Sequence, residues 1–368
     1  MAPKRRKLPV IAEKSYLKSV WCNEILNGIG KSNYDIISFE DAQSFPKNSV
    51  IVILGTSNHF FEKAISLCKN NNLRPLLVGT EISDADSRIS SIKTNRKAAM
   101  NALVHYCKYH GRSKIALFGI SRHSSIDLEK RAAFTEAAIS AGIPDVSKNI
   151  HYNSGNLKEC IDGIFEKISS YDSVICSNDY FATAFITEAV KRGIKVPEDI
   201  YVTGYGNSFI GEKISPSITT VAPRYKEMGI HTEKIYSHLA GNPDITSLEL
   251  LLGYDIIVRE STANMKLCKN LIPRDTISET AFNSMFDDEY MNPVLTLDAI
   301  IGSSDKSLFK IIDAIARGES YSSIAERLYL SDSAFRYKLN KIFNITNTSS
   351  KNELKQLRNS INLKDDEK

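Results

Sequence analysis

From residue 8 to about 260 the chain alternates short, nearly continuous apolar runs with segments of helical period. "LPVIAE", "YDIISF", "VIVILGT", "RPLLVGT", "RISSI", "KIALFGI", "SVICS" and "DIYVTGYG" each give a run of strand length. Between them, helical spacing predicts helices up to residue 31, over "FFEKAISLCKNNN", over 95–110, around 128–141 and over 181–192. Strands apolar along their whole length need cover on both faces, and helices between successive strands supply it. The pattern therefore predicts a doubly wound α/β fold. Asn178 and Asp179 offer capping oxygens to the helix holding Phe181, and Gly193 follows Lys191 and Arg192 as a stop.

Near residue 262 the pattern changes. Residues 262–304 show no sustained period and several breakers, and predict a linker with room for a short helix or strand pairing. After residue 305 all spacing is helical, which predicts a small all-α domain over 305–362. In it, Ile324, Ala325 and Leu328 share a face that Leu330 closes. Phe335, Leu339, Ile342 and Phe343 then form a second apolar stripe, and Ser331 stands where a helix cap belongs. The opposite face carries Ser333, Arg336, Tyr337, Asn340 and Lys341, with Lys338 on the same short helix and Lys351 and Lys355 nearby. Cations for phosphates beside amide and phenol groups for base edges suit a major groove, so double-stranded DNA is the expected partner.

Composition adds limits. At 368 residues, 42% hydrophobic and 24% charged, the chain is long enough for more than one domain and too apolar for disorder. A net charge of +4 means that a nucleic-acid surface must arise from local clustering. The basic arm 1–7, with "PKRRK", reads as a solvated tail, a nuclear address or a nucleic-acid contact. Six scattered cysteines without CxxC spacing read as reduced core thiols, so neither a metal nor a cofactor is expected. No signal peptide or membrane span is visible, which predicts a cytoplasmic protein with no membrane partner. No GxxxxGK[ST], GxGxxG after a strand or GxSxG elbow occurs, and seven histidines lack HxxxH or HxxEH spacing. An enzyme is therefore not expected.

Two resemblances sharpen the picture. "SVICSNDYFATAFITEAVKRGIKVPEDIYVTGYGNS", "ISPSITTVAPRYKEMG" and the closing "VRES" resemble the effector-binding domain of LacI/GalR regulators, most clearly over 85–261 and by element order alone over 8–84. The resemblance implies a periplasmic-binding-protein-like module over 8–261, with two lobes, crossing hinge strands and a small effector, a sugar or nucleobase, between the lobes. It places Asn178, Ser124 or Ser125, and Asn95 toward that effector. Asp179 matches in type and serves equally as a cap. Two departures stand out: Leu128 ahead of "EKRAAF" where the family has an arginine, and Gly206-Asn207 where it has an aspartate. Either the effector differs from the usual sugar, with Asn207, Arg122 or His123 contributing, or the module is a dimerisation and signalling scaffold.

Residues 311–343, "IIDAIARGESYSSIAERLYLSDSAFRYKLNKIF", with "TSSKNELKQL" downstream, resemble the LuxR-type helix-turn-helix domain. The combination implies a homodimeric transcriptional regulator with its DNA reader at the C-terminus, since only about seven residues precede the first strand. The alternative is a solute-binding or dimerisation scaffold with a helical protein-docking tail.

Overall fold

The computed structural model describes residues 7–80, 88–263, 265 and 288–364. The arm at 1–6, Cys268 and most of the expected linker lie outside these residues. Twelve strands form two six-stranded sheets. The first contains β1 (Leu8–Ala12), β2 (Tyr34–Ile36), β3 (Val50–Leu54), β4 (Arg74–Val78), β5 (Ser90–Thr94) and β11 (Glu249–Leu252), in the order β11-β5-β4-β3-β1-β2. The second contains β6 (Ile115–Ser121), β7 (Ile150–Asn153), β8 (Ser173–Cys176), β9 (Tyr201–Tyr205), β10 (Thr219–Pro223) and β12 (Tyr254–Ile257), in the order β12-β10-β9-β8-β6-β7. All pairs are parallel except β10 with β12.

Helices α1 (Val20–Ile29), α2 (Phe39–Gln43), α3 (Asn58–Asn70) and α9 (Tyr225–Gly241) belong with the first sheet. The second sheet holds α4 (Arg96–Tyr109), α5 (Ser125–Ser140), α6 (Leu157–Phe165), α7 (Asp179–Lys191) and α8 (Phe209–Lys213). The chain passes between the sheets after β5, after β10 and between β11 and β12. Those passages make the two lobes implied by the resemblance. β3 and β4 are buried along their whole length, as continuous apolar runs require. Apart from buried Asn153 at the end of β7, the edge strands β2, β7, β11 and β12 are at most partly buried, which is why their patterns are weaker.

Two glycines set the geometry beneath the cleft. A Cβ on Gly229 of α9 would lie 2.0 Å from the Ile25 carbonyl oxygen, and one on Gly28 of α1 would lie 2.1 Å from that of Lys226. The two helices therefore touch backbone to backbone. This crossing brings Trp21 of α1 and Tyr225 of α9 into a stack with ring centroids 6.3 Å apart.

Beyond residue 288 come α10 (Asn292–Ile301), α11 (Ser307–Ala316), α12 (Tyr321–Arg327), α13 (Asp332–Thr346) and α14 (Lys351–Asn359). Within the expected linker 262–304, the short helix for which the sequence leaves room lies at the end. Residues 292–301 form a helix in which Val294, Leu297 and Ile300 are buried in the core shared with the helical unit. Pro293, which reads as a breaker, sits in the first turn, where proline is tolerated. Phe335, Leu339 and Ile342 are buried as their spacing predicts, while Phe343 is half-buried. A buried pair, Arg358 Nη2 to Asp313 Oδ1 at 2.8 Å, ties α14 to α11.

Candidate functional site: the interlobe cavity and the exposed face of the C-terminal helix

The cavity lies at the carboxyl ends of the parallel strands. Thr56, Gly79 and Thr94 line it from the ends of β3, β4 and β5, and Ser121, Asn153, Asn178 and Tyr205 from β6 to β9. Ligands of open α/β sheets bind at such strand ends. Aromatic walls come from Tyr16, Trp21 and Tyr225 on one side and Phe181 on the other. The enclosed space is about 100 Å³, well below the roughly 300–1,000 Å³ of drug-sized sites. This form suits a small ligand.

The lobes are closed over that space. Asn58 N donates to His123 O at 3.3 Å, Ser125 N donates to Asn58 Oδ1 at 2.8 Å, and the Thr80 and Ser125 hydroxyls lie 3.2 Å apart. Deeper in, Trp21 Nε1 of the first lobe donates to Gly206 O of the second at 3.0 Å. The Arg96 guanidinium also donates to the Gly79 carbonyl across the lobes.

Two buried cations reach the cavity. Arg96 pairs with Glu129 at 2.6 Å. Lys130 lies 3.3 Å from Asp127, donates to Ser177 O at 2.7 Å and sits 4.6 Å from the Tyr205 ring centroid. Burial pushes the Lys130 ammonium below its ordinary pKa, while Asp127 opposes the shift. Burial likewise raises the Tyr205 phenol, so it stays neutral and able to hydrogen-bond. Aromatic faces beside hydroxyls, amides and paired charges can stack on a ring and bond its substituents.

The expected ligand residues divide. Asn178 lines the cavity, and its Oδ1 also accepts from Tyr180 N and Phe181 N as the α7 cap. Asp179 is fully buried instead, accepting from Ser208 N and Thr220 Oγ1. Ser124 lines the cavity while capping α5. Ser125 works in the interlobe bonds just described. Asn95 caps α4 through Ala98 N, and its neighbours Thr94 and Arg96 face the cavity in its place. His123 contributes its carbonyl to the interlobe bond but does not line the cavity, and Arg122 stacks on Tyr152 at 3.7 Å. Asn207 is exposed, has φ +51 and accepts from Arg259 Nη2 at 2.8 Å, so it too is absent from the lining.

Both departures from the resemblance are also revised. The cation is present as Lys130, on the same face of α5 as Ser124 and Asp127, whereas Leu128 is buried in packing. Its signal was the Asp127–Lys130 pair, three residues apart on one face of α5. At Gly206 the lost acid has a replacement in space: the Trp21 indole fills the volume where a side chain would stand. Only a contact between residues 185 positions apart reveals this, so no local pattern could have found it.

In the helical unit, Ser331 caps α13 through Ala334 N, and Ser333, Arg336, Tyr337, Asn340 and Lys341 are all exposed. Lys338 departs from that set. Its Nζ pairs with Asp305 ahead of α11, and its side chain is only 20% exposed. Tyr329, in the turn between α12 and α13, is 97% exposed at φ +53 and adds an aromatic that the pattern did not single out. No helix among the described residues is long and apolar enough to cross a membrane.

Residues 104–262 match the family described as periplasmic binding protein-like domain. The NTD biosynthesis operon regulator NtdR of Bacillus subtilis is 29% identical over 177 residues, 45% of this chain and 51% of the relative. The HTH-type transcriptional regulator pepR1 of Lactobacillus delbrueckii is 23% identical over 61% of this chain and 68% of its own length. The chain thus spans about half the length of NtdR and two thirds of pepR1. Among solved structures, the CelR–cellobiose complex superposes with a TM-score of 0.61 at 16% identity, covering 71% of this chain and 86% of the other. Transcription regulator CcpA of Lactococcus lactis gives 0.59 at 22% identity over 70% of this chain and 100% of the other. A LacI-family regulator of Enterococcus faecium with bound ribose gives 0.59 at 18%, over 71% and 100%. The two sheets thus carry the two-lobed, periplasmic-binding-protein-like fold of these LacI-family structures, followed by a helical C-terminal region.

Proposed function

We propose that the chain is a DNA-binding transcriptional regulator that senses a small, sugar-like molecule between its lobes and reads double-stranded DNA with α12 and α13. The observation that carries the DNA half is the division of α13: Phe335, Leu339 and Ile342 face inward, while Ser333, Arg336, Tyr337, Asn340 and Lys341 stand in solvent on a capped helix. That is the arrangement a LuxR-type recognition helix needs for a major groove. The sensing half draws support from the closed cavity, from a relative named as an HTH-type transcriptional regulator, and from two structures of the same fold described with cellobiose or ribose bound.

In this reading two chains associate as a cytoplasmic homodimer, so that paired α13 helices meet two half-sites, and no cofactor or catalysis is involved. Lobe closure on a ligand shifts the population between DNA-competent and incompetent forms. Retardation of promoter fragments at low salt tests the DNA half. A thermal-shift screen with sugars and nucleosides tests the sensing half. Unretarded fragments, unaffected by Arg336→Ala with Lys341→Ala, overturn the regulator reading.

A further inference from the structure

Asp298 of α10 is buried where the helical unit meets the second lobe. Its Oδ2 accepts from the Tyr180 hydroxyl at 2.8 Å and its Oδ1 accepts from Ile210 N at 2.5 Å. A buried carboxylate held by hydrogen bonds contributes little net stability, because desolvation offsets the bonds. Its effect is positional: it seats α10 on the start of α7 and α8. On its other side α10 packs against α11 and α13.

Tyr180 also faces the cavity wall. Its ring lies 5.0 Å from that of Trp21, tilted by 30°. Trp21 belongs to the first lobe, lines the cavity and reaches Gly206 of the second lobe. Tyr180 belongs to the second lobe. Any change in lobe separation therefore alters the Trp21–Tyr180 contact. Other ties of the helical unit run to the second lobe: Ile214 bridges Leu363, Ser215 N donates to Asn362 O at 3.0 Å, and Lys364 pairs with Glu260 at 2.7 Å. Those contacts do not involve the first lobe, whereas the Trp21 contact does.

We propose that Trp21, Tyr180 and Asp298 form a relay that couples the state of the interlobe cavity to the seating of α10, and through α10 to the recognition helix α13. The inference rests on the DNA-reading function above and specifies how that function is regulated. Trp21 and Tyr180 are positioning residues: they act on DNA through α10 and touch none themselves. Coupling is reciprocal, so DNA bound at α13 must also alter the surroundings of Trp21.

Reciprocity makes the relay measurable without knowing the ligand. Trp21 is the single tryptophan of the chain, so tryptophan emission reports its surroundings alone, and the Tyr180 variant isolates the part due to this contact. Full-length wild type and Tyr180→Phe are titrated at low salt with a short labelled duplex, following duplex anisotropy and Trp21 emission together. The wild-type emission should shift on binding. In Tyr180→Phe that shift should fall by at least half, with duplex affinity within about threefold of wild type. If anisotropy reports binding while Trp21 emission stays fixed, or if Tyr180→Phe responds like wild type, the relay is overturned and DNA reading stands.

If no duplex binds, the DNA reading fails separately, and the relay is decided by amide hydrogen exchange of residues 292–301. Faster exchange there in Trp21→Phe and in Tyr180→Phe supports the link from the cavity to α10. Unchanged exchange in both variants overturns it.

Discussion

Trp21 and Gly206 fit each other across the cleft: the indole donates to the glycine carbonyl at 3.0 Å, and a Cβ on Gly206 would lie 2.6 Å from the indole carbon Cζ2. Gly206 also holds φ +121, which side chains rarely adopt. The clash and the backbone strain act together. Gly206→Ala is expected to destabilise the protein by about 1–3 kcal/mol and to prop the lobes apart. Chemical denaturation measures the first effect. Loss of the thermal shift given by any ligand found in a sugar and nucleoside screen measures the second.

Asn178 serves the fold and the cavity at once, so Asn178→Ala mixes two effects. Removing the cap costs about 1 kcal/mol whether or not a ligand binds. Asn178→Ser and Asn178→Asp keep a capping oxygen while changing what faces the cavity. Their melting points should stay near wild type without ligand, and their ligand-induced shift should fall. Lys130→Met removes the charge that Asp127 accompanies, and is expected to abolish ligand response with a further loss of stability.

The exposed cations of α13 and the paired one should separate in experiment. Arg336→Ala and Lys341→Ala are each expected to weaken duplex binding and to lower the slope of log affinity against log salt by about one. Lys338→Ala should leave that slope unchanged. Breaking its partly buried pair with Asp305 costs under about 1 kcal/mol, read as a lower melting point. Tyr337→Ala should change the order of preferred sequences more than the overall affinity.

Burial, with Asp179 nearby, raises the Asp298 carboxyl to about 7, while the bonds from Tyr180 and Ile210 oppose the shift. For an acid raised in this way, the folded state holds a proton that the unfolded chain releases. The associated stability is present below pH 4, falls as pH rises toward 7 and then levels off. The interval from 3.8 to about 7 corresponds to on the order of 4 kcal/mol. Wild-type unfolding free energy should therefore decline between pH 4 and pH 7 relative to Asp298→Asn, which keeps both polar positions and cannot titrate. Parallel curves for the two proteins would contradict this assignment.

The local pattern discloses elements whose chemistry is local. β3 and β4 read as buried strands because all ten of their residues are buried, and α13 reads as amphipathic because Phe335, Leu339 and Ile342 repeat on one face. Edge strands such as β7 and β11 lack that signal, since solvent relaxes the demand for apolar residues. In the cavity, Asn178 and Ser124 are legible because strand-end and cap positions announce themselves. Trp21, Tyr16 and Arg96 are not, because they enter from distant parts of the chain through the α1–α9 crossing and the β5–α4 passage. Leu128 misleads by two residues, which on a helix means the wrong face; Lys130 occupies the right one. α10 is hidden behind a proline that works as a helix start.

The return of the chain to the second lobe at Leu363, after α10 has already docked there, limits how far this reader can be treated as an interchangeable part. The helical unit is held at its entry and at its exit. Transplanting 305–362 onto another sensor would leave behind Asp298, Gly302 and the Ile214–Leu363 bridge, which together define its orientation. A working hybrid would have to carry α10, residues 362–364 and the receiving surface of α7 and α8, so the practical unit of exchange spans the domain boundary.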